Sequence, residues 1–308
     1  MKRSVLPLTF LLWLTAMQVF GATNAPANAQ FQVSLDTNAG AWRMVGSRHR
    51  LEFNPANLAC RVSTPTTVWR MAASRAGDLQ VRHEGQPSSL QLAAAGRKTV
   101  TPYENGFQTG LKIELAEFRS GTNLLDISLQ LFLCFEGAEE EVAATLIASD
   151  GATRVLRCDW PAGLVEDSFD ATVVPYMQGM LLPKAWPEKT RLYDTLCFGR
   201  GLYQPWWGHE QGAAAMLVIL ETPDDGGCHF EHPAGGPTQI GLRWVHSLGH
   251  FAYPRRARMS FFDKGNYVDL AKRYRRHAIA TGRFVSLREK IARNPNVARL
   301  IGAPVVHT

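Results

Sequence analysis

The sequence lacks several signatures of common enzyme classes. Its 308 residues contain no Gly-rich phosphate loop, no GxSxG nucleophile motif, and neither the CxxC nor the HExxH spacing of common zinc sites. These absences remove any motif-based argument for a P-loop nucleotidase, a GxSxG hydrolase or a zincin. There is also no internal repeat and no low-complexity tract, so a repeat architecture is not expected.

Cysteine is sparse as well. The five cysteines are Cys60, Cys134, Cys158, Cys197 and Cys228. Their wide, irregular spacing is not that of a disulfide scaffold, and their odd number leaves at least one thiol free. One or two disulfides are possible if the chain is exported to an oxidising compartment.

The N-terminus has the layout of a secretory signal. Lys2 and Arg3 precede an apolar run from Ser4 to Phe20, and Ala27-Asn28-Ala29 offers a small-x-small cleavage site. We therefore predict that residues 1–29 are a signal peptide and that the protein is secreted or periplasmic. A membrane anchor is the alternative, but the apolar run is short and leads directly into a polar stretch. No later segment is long and apolar enough to span a bilayer, so no membrane partner is expected after cleavage.

The net charge of +6 is unevenly distributed. The segment from Arg255 to Arg299 holds thirteen Lys and Arg residues against three acidic ones. Such a segment can bind nucleic acid or lipid headgroups. It can equally be a solvated helical face or a face that docks on another domain. For an exported chain we favour one of these last two interpretations and expect no nucleic acid partner.

Hydrophobic periodicity predicts a mostly β fold. In the run from Ile127 to Phe135, every second residue is apolar, and Leu111, Ile113 and Leu115 alternate in the same way. Asn105-Gly106 is a hairpin signal between two such runs. Turn residues separate the predicted strands throughout residues 31–263, which predicts a large antiparallel β-sandwich.

The periodicity becomes helical in residues 264–308. Asn266 is a predicted N-cap, Gly282 a predicted stop, and Ser286 to Glu289 a capping box that opens a second helix. Asn294-Pro295 opens a third, short turn. We predict a short α-helical linker after the sandwich.

Aromatic residues are the main candidates for ligand binding. Trp206 and Trp207 lie on a segment predicted to be irregular, with Trp186 and Tyr203 nearby in sequence. Indole and phenol rings stack well on the C–H faces of sugars, so these four residues are candidate carbohydrate-binding residues. Packing in a core or between domains is the alternative.

An acidic loop follows the predicted strand Ala215 to Leu220. Glu221, Asp224 and Asp225 could act as acid and base in glycoside hydrolysis, which needs two opposed carboxylates. The neighbouring Pro and Gly residues favour a tight turn instead. Catalytic residues therefore remain unknown.

A cluster of potential metal ligands occurs near the C-terminal end of the predicted sandwich. It comprises Cys228, His229, Glu231, His232, His246 and His250. No pair has a standard zinc spacing, so we expect no metal site and no cofactor, and a small metalloenzyme is a third, less favoured hypothesis.

Five segments together resemble a known family. They are Glu221 to Asp225, Phe251 to Arg256, Tyr267 to Arg275, Leu287 to Ala292 and Leu300 to Ala303. They resemble the region before the catalytic barrel in bacterial glycoside hydrolases related to the endo-α-N-acetylgalactosaminidases. The resemblance covers residues 31–308, nearly the whole mature chain.

The resemblance implies an architecture and a role. Residues 31–263 would be a galactose-mutarotase-like β-supersandwich, and residues 264–308 a helical linker toward a catalytic barrel missing from this chain, with Val305-Val306 as the start of its first strand. Barrel carboxylates catalyse hydrolysis in such enzymes, so the chain alone is expected to be inactive. Its partners would be a glycan substrate and the C-terminal catalytic barrel of the same polypeptide. The alternative is a stand-alone carbohydrate-binding or scaffolding protein of the cell envelope.

Overall fold

The computed structural model describes residues 31–177, 179–197 and 201–303, without the side chains of residues 192–196. The predicted signal peptide and the predicted barrel strand at Val305-Val306 lie outside the described residues.

Strands dominate the described residues. The strands are β1 (Gln32–Asp36), β2 (Ala41–Val45), β3 (Arg50–Phe53), β4 (Cys60–Ser63), β5 (Val68–Met71), β6 (Leu79–His83), β7 (Gln86–Leu90), β8 (Arg97–Glu104), β9 (Gln108–Ala116), β10 (Arg119–Ser120), β11 (Asn123–Leu124), β12 (Ile127–Glu136), β13 (Glu141–Asp150), β14 (Arg154–Cys158), β15 (Ala171–Val174), β16 (Met180–Pro183), β17 (Thr190–Leu196), β18 (Trp206–Gln211), β19 (Ala214–Leu220), β20 (Gly226–His232), β21 (Gln239–Val245) and β22 (Arg255–Phe262). The helices are α1 (Tyr267–Ala280) and α2 (Leu287–Arg293), with short 3-10 helices at Leu92–Ala94, Glu166–Ser168 and Pro295–Leu300.

Two large antiparallel sheets face each other. The nine-stranded sheet has the order β16-β15-β18-β19-β22-β13-β12-β9-β8, and the six-stranded sheet has the order β17-β20-β21-β14-β6-β7. A five-stranded meander, β1 to β5, and the β10-β11 hairpin complete the described sheets. The predicted fold class, a large antiparallel β-sandwich, is confirmed. The division into residues 31–263 and 264–308 stays a prediction, although the last strand ends at Phe262 and the first helix begins at Tyr267.

The alternating pattern of β12 explains the core. Ile127, Leu129, Leu131, Leu133 and Phe135 are almost completely buried, as predicted from their period of two. Their side chains join one continuous core that both sheets line. Burial of each such side chain contributes about 1.5–3 kcal/mol, so this face fixes the register of the strand.

The predicted hairpin between β8 and β9 is confirmed. Gly106 has a φ of 80°, and the Asn105 side-chain oxygen accepts hydrogen bonds from the backbone N–H groups of Phe107 and Gln108. Glycine adopts this left-handed conformation without strain, which is why the Asn-Gly pair predicted the turn.

Both predicted helix caps are present. Asn266 caps α1 in a capping box with Asp269, and Ser286 caps α2 in a capping box with Glu289. Gly282 follows α1 with a φ of 70°. None of the helices in the described ranges combines the length and the apolar sequence that crossing a membrane requires.

All five cysteines are buried and unpaired. Cys134 is almost completely buried within β12. Burial raises the pKa of the Cys60 and Cys197 thiols to about 12, which keeps them protonated and unreactive.

Candidate functional site

The segment that contains Trp206 and Trp207 is a strand. The irregular structure predicted for it is wrong: Trp206–Gln211 forms β18, which pairs with β15 on one side and β19 on the other. The two indoles therefore point to opposite faces of the nine-stranded sheet.

Neither indole is open to solvent. Trp207 is 1% exposed in the main core, and Trp206 is 5% exposed beneath α1, where its ring stacks on Tyr274 with centroids 5.9 Å apart. A side chain at Gly208 would clash with Leu270 of α1, so this glycine permits the close approach of the helix. Both tryptophans contribute packing in the described structure.

The other two candidate aromatics lie elsewhere. Trp186 is 5% exposed and its carbonyl oxygen contacts the His232 ring beside the six-stranded sheet. Tyr203 is 59% exposed in the loop before β18. The four predicted carbohydrate-binding residues therefore do not form one surface, and only Tyr203 among them offers an exposed ring.

The acidic loop after β19 separates its carboxylates. Glu221 contacts the guanidinium groups of Arg256 and Arg258. Asp225 accepts a hydrogen bond from the Tyr253 hydroxyl, and Asp224 is exposed. The carboxylates of Glu221 and Asp225 thus serve different ion-pair and hydrogen-bond networks, and they do not face each other as an acid–base pair.

Asp225 also contacts a buried arginine, Arg255. The Arg255 side chain is completely buried, with its guanidinium 3.5 Å from the centroid of the Tyr253 ring and Nη2 3.5 Å from Asp225 Oδ2. Burial and the hydrogen bond to Asp225 raise the pKa of Tyr253 to about 12. These contacts fix the turn from Asp224 to Gly226 against the start of β22.

A larger network, which we name the ion-pair face, covers the outer side of the nine-stranded sheet. Its members are Glu136, Glu141, Glu221, Arg256, Arg258 and Arg273. Arg258 is the centre: its guanidinium donates to Glu136 Oε1 at 2.7 Å, to Glu221 Oε1 at 2.7 Å and to Glu141 Oε2 at 3.1 Å. Arg273 of α1 binds Glu141 through two hydrogen bonds, so the network ties the helix to the sheet.

The charges on the ion-pair face stabilise one another. Burial alone would raise the pKa of Glu141, but hydrogen bonds from Arg273 and Ser260 and the nearby positive charges hold it below its usual value. Burial would also lower the pKa of Arg258, but the charges of Glu221 and Glu136 raise it. Glu141 and Arg258 are therefore both ionised at neutral pH.

Part of the basic C-terminal segment is neutralised by this network. Arg256, Arg258 and Arg273 pair with glutamates, and Arg255 pairs with Asp225. The sequence could not show this, because the partner acids lie on β12, β13 and the loop after β19. The alternating arginines at positions 256 and 258 of β22 were the sequence signal available for predicting this network.

From α1 onward, the helical segment leaves apolar side chains exposed. Large hydrophobic residues between 40% and 68% exposed are Tyr267, Val268, Ile279, Phe284, Leu287, Leu300 and Ile301. Helix α1 is anchored, because Leu270 is fully buried against Ala215, Leu217 and Ile219 of β19. The segment thus begins with a helix fixed to the sandwich, and it exposes these apolar side chains together with basic ones.

The residues considered for metal binding are dispersed. Cys228 points into the core, whereas His229 lies on the other side of β20, with Nε2 2.9 Å from Glu231 Oε1. His250 instead contacts Arg154. In the described part of the chain, no three His, Cys, Asp or Glu side chains are arranged to hold a metal ion.

The chain is structurally similar to a portion of a solved glycoside hydrolase. It is similar to α-N-acetylgalactosaminidase NagBb from Bifidobacterium bifidum, solved with Gal-NHAc-DNJ and with GalNAc: in both cases identity is 28%, the TM-score is 0.75, and 86% of this chain and 43% of that chain are covered. The ligand-free form gives 27% identity, a TM-score of 0.73, and 84% and 42% coverage. The chain spans less than half the length of these structures.

Sequence comparisons add no further relative. No protein-family model matches the chain, and no curated protein sequence matches it. The predicted relationship to glycoside hydrolases is confirmed through the structural likeness to NagBb. The more specific galactose-mutarotase-like classification stays a prediction.

Proposed function

We propose that this chain is the N-terminal, non-catalytic portion of an exported glycoside hydrolase that acts on glycans bearing α-linked N-acetylgalactosamine. The likeness to NagBb carries the proposal, because it extends over 86% of this chain at 28% identity. In this proposal the sandwich supports a catalytic barrel of the same polypeptide.

The surface of the helical segment supports a partner on that side. Its exposed hydrophobic side chains, such as Leu287 and Ile301, belong to a segment whose first helix, α1, is anchored by Leu270 and the ion-pair face. Several large apolar side chains exposed in one segment are typical of interaction sites. A barrel of the same polypeptide would cover them.

The arrangement of carboxylates is consistent with catalysis elsewhere. Glycoside hydrolysis needs two carboxyl groups on opposite sides of the scissile bond. Glu136, Glu141 and Glu221 instead form ion pairs with arginines, and Asp225 accepts a hydrogen bond from Tyr253. The sandwich therefore positions and supports, and the reacting carboxylates belong to the barrel.

The first experiment compares hydrolysis by two proteins. The chain of 308 residues and the product of the reading frame continued beyond codon 308 are assayed with p-nitrophenyl N-acetyl-α-galactosaminide. We expect turnover only by the longer product. Turnover by the shorter chain, or a longer product without a barrel, contradicts the proposal.

A matched pair of variants tests the contact surface. Ile301→Asp should lower the melting temperature of the longer product while leaving that of the shorter chain unchanged, because Ile301 is 65% exposed without the barrel. Leu248→Asp, at a 98% exposed position in the turn after β21, is the control and should affect neither protein. Equal effects in both proteins would contradict the proposed contact.

The alternative, a stand-alone carbohydrate-binding or scaffolding protein, finds less support. It relied on an aromatic platform, and the rings of Trp206 and Trp207 are buried.

A further inference from the structure

A cavity of about 440 Å³ lies beside β20 and β21, away from the ion-pair face. Three segments surround it: the loop between β5 and β6, the loop between β14 and β15, and the β20-β21 hairpin. β14 pairs with β21 only at Arg157 and Cys158, and the space opens where the two strands separate. Its volume is in the range of small-molecule sites and suits one small ligand.

One side of the cavity is rigid and polar. Asp159, 7% exposed, lines it and is held from behind by Arg243, with Nε to Oδ1 at 2.9 Å and Nη2 to Oδ2 at 2.7 Å. His229, 6% exposed, also lines it, and Nε2 contacts Glu231. Arg157 Nε also lies 3.5 Å from Asp159 Oδ2. Carboxylate oxygens have more lone pairs than these contacts use, so Asp159 can accept further hydrogen bonds.

The protonation of His229 suits a neutral ligand. Burial and the charge of Arg243 lower the pKa of His229, so the imidazole is neutral at physiological pH. His229 Nε2 lies 2.9 Å from Glu231 Oε1 without the geometry of a hydrogen bond, so this buried nitrogen has no hydrogen-bond partner among the described residues. A neutral imidazole can exchange hydrogen bonds with a ligand hydroxyl group.

An unpaired amide lies at the same cavity. Gln239 lines it, and its Oε1 is buried with no hydrogen-bond partner among the described residues. Leaving a buried oxygen unpaired costs about 1–3 kcal/mol. A ligand hydroxyl that met this amide after a small side-chain movement would recover that cost.

The cavity also has an apolar part. Ala72, Ala73, Leu164 and Val165 line it with small and branched side chains. The backbone here is closely fitted, because a side chain at Gly163 would overlap the carbonyl oxygen of Ile240. A ligand must therefore present both hydroxyl groups and carbon to the lining.

The charges that line the cavity disfavour anions. Glu166 and Asp167 are among the lining residues, and Arg75 is the one cation among them. The Asp78 carboxylate is already paired, since it accepts hydrogen bonds from Ser74, the Arg75 backbone and the Leu92 backbone. An acidic lining repels carboxylates and phosphates, and a neutral polyol has no such penalty.

We infer that this cavity binds one neutral sugar residue, with its hydroxyl groups on Asp159, His229 and Gln239 and its N-acetyl group or C–H face on Ala72, Ala73 and Val165. This site lies in the sandwich itself and would operate whether or not a barrel is attached. It would hold a glycan away from the hydrolytic centre.

The test is calorimetric titration of the purified chain with three methyl glycosides. We expect methyl N-acetyl-α-galactosaminide to bind at one site, methyl α-galactoside to bind more weakly, and methyl glucuronide not to bind. No saturable binding of either neutral sugar overturns the proposal. Preference for the glucuronide overturns the assignment of a neutral ligand, and equal affinity for the two neutral sugars overturns the placement of the N-acetyl group.

Two variants locate the site. Ala73→Phe fills the cavity and should weaken binding at least about tenfold, whereas Ala76→Phe, at an exposed position of the same loop, should leave the affinity within about twofold. Gln239→Ala removes one polar contact without adding bulk and should weaken binding about threefold to tenfold. Circular dichroism checks that each variant is folded, and unchanged affinity in both cavity variants places the sugar elsewhere.

Discussion

Two groups of charged side chains lie on the two main sheets, and they differ in what covers them. On the nine-stranded sheet, the ion-pair face is closed by α1, which contributes Arg273 to the network. On the six-stranded sheet, the pair Asp159–Arg243 is just as buried, but a cavity of about 440 Å³ lies in front of it. Similar chemistry thus leads to a closed surface in one place and an open one in the other.

The difference lies in what the acids face. Glu136, Glu141 and Glu221 share the guanidinium groups of several arginines, so their oxygens face cations on more than one side. Asp159 is likewise held by Arg243 and lies 3.5 Å from Arg157 Nε, but it also lines the cavity together with His229. An acid enclosed by other side chains stabilises and positions elements, whereas an acid that also borders a cavity can meet a ligand.

The largest effect is expected at the centre of the closed network. Arg258→Met should lower the free energy of unfolding by about 3–5 kcal/mol, because three carboxylates would lose their shared cation and repel one another in a partly buried place. Urea denaturation at neutral pH measures the loss.

The same substitution at an exposed arginine is the control. Arg299→Met, in the 3-10 helix Pro295–Leu300, should change the free energy of unfolding by no more than about 0.5 kcal/mol. A loss below about 1 kcal/mol for Arg258→Met would mean that the ion-pair face contributes little to stability.

The imidazole of His229 beside the cavity and the carboxylates of the ion-pair face should also respond to acid at different pH. The lowered pKa of His229 means that the unfolded chain binds a proton more readily than the folded one, so this contribution is present above pH 6.5 and lost as the pH falls below it. The lowered pKa values of Glu136 and Glu141 act in the same direction, but their contribution is lost only as the pH falls below 4.5. Denaturation at a series of pH values separates the two phases.

One variant measures the share of His229 in the phase near pH 6.5. His229→Gln should reduce the slope of stability against pH just below pH 6.5, by at most about 1.4 kcal/mol per pH unit, because one titrating group is removed. His209 and His277, which also have lowered pKa values, account for the remaining slope. His246→Gln, in an exposed turn, is the control, and an unchanged slope in His229→Gln would contradict the assignment.

Most of the fold could be predicted from local patterns. The alternation in β12 and the Asn105-Gly106 turn specify strands and a hairpin through short-range rules, and the caps at Asn266 and Ser286 specify helix starts. The prediction failed at β18, where Trp206-Trp207-Gly208 has no alternation. Both faces of that strand are covered, one by the core and one by α1, so no polar face marked it.

The sites were harder to predict, because their members come together only in three dimensions. Glu136 and Arg258 are 122 residues apart in sequence, and Asp159 and Arg243 are 84 apart. The sequence directed attention to aromatic residues, which proved to be mostly buried. One usable signal was missed: Ala214–Leu220 is apolar at every position, which indicates a strand covered on both faces and therefore a helix on the outer side.

The smallest effect is expected at the cap of the helix that closes the ion-pair face. The Asn266 side chain accepts a hydrogen bond from the Val268 N–H, and Asn266→Ala should destabilise α1 by about 1 kcal/mol. Hydrogen exchange in Tyr267–Ala280 should become about fivefold faster, while exchange in β20 and β21 beside the cavity stays unchanged. Asn294→Ala, at the start of the 3-10 helix Pro295–Leu300, removes an equivalent side-chain acceptor and should leave exchange in α1 unchanged. If exchange beside the cavity also accelerated in Asn266→Ala, the ion-pair face and the cavity region would be coupled through the core. The two regions could then no longer be treated as independent.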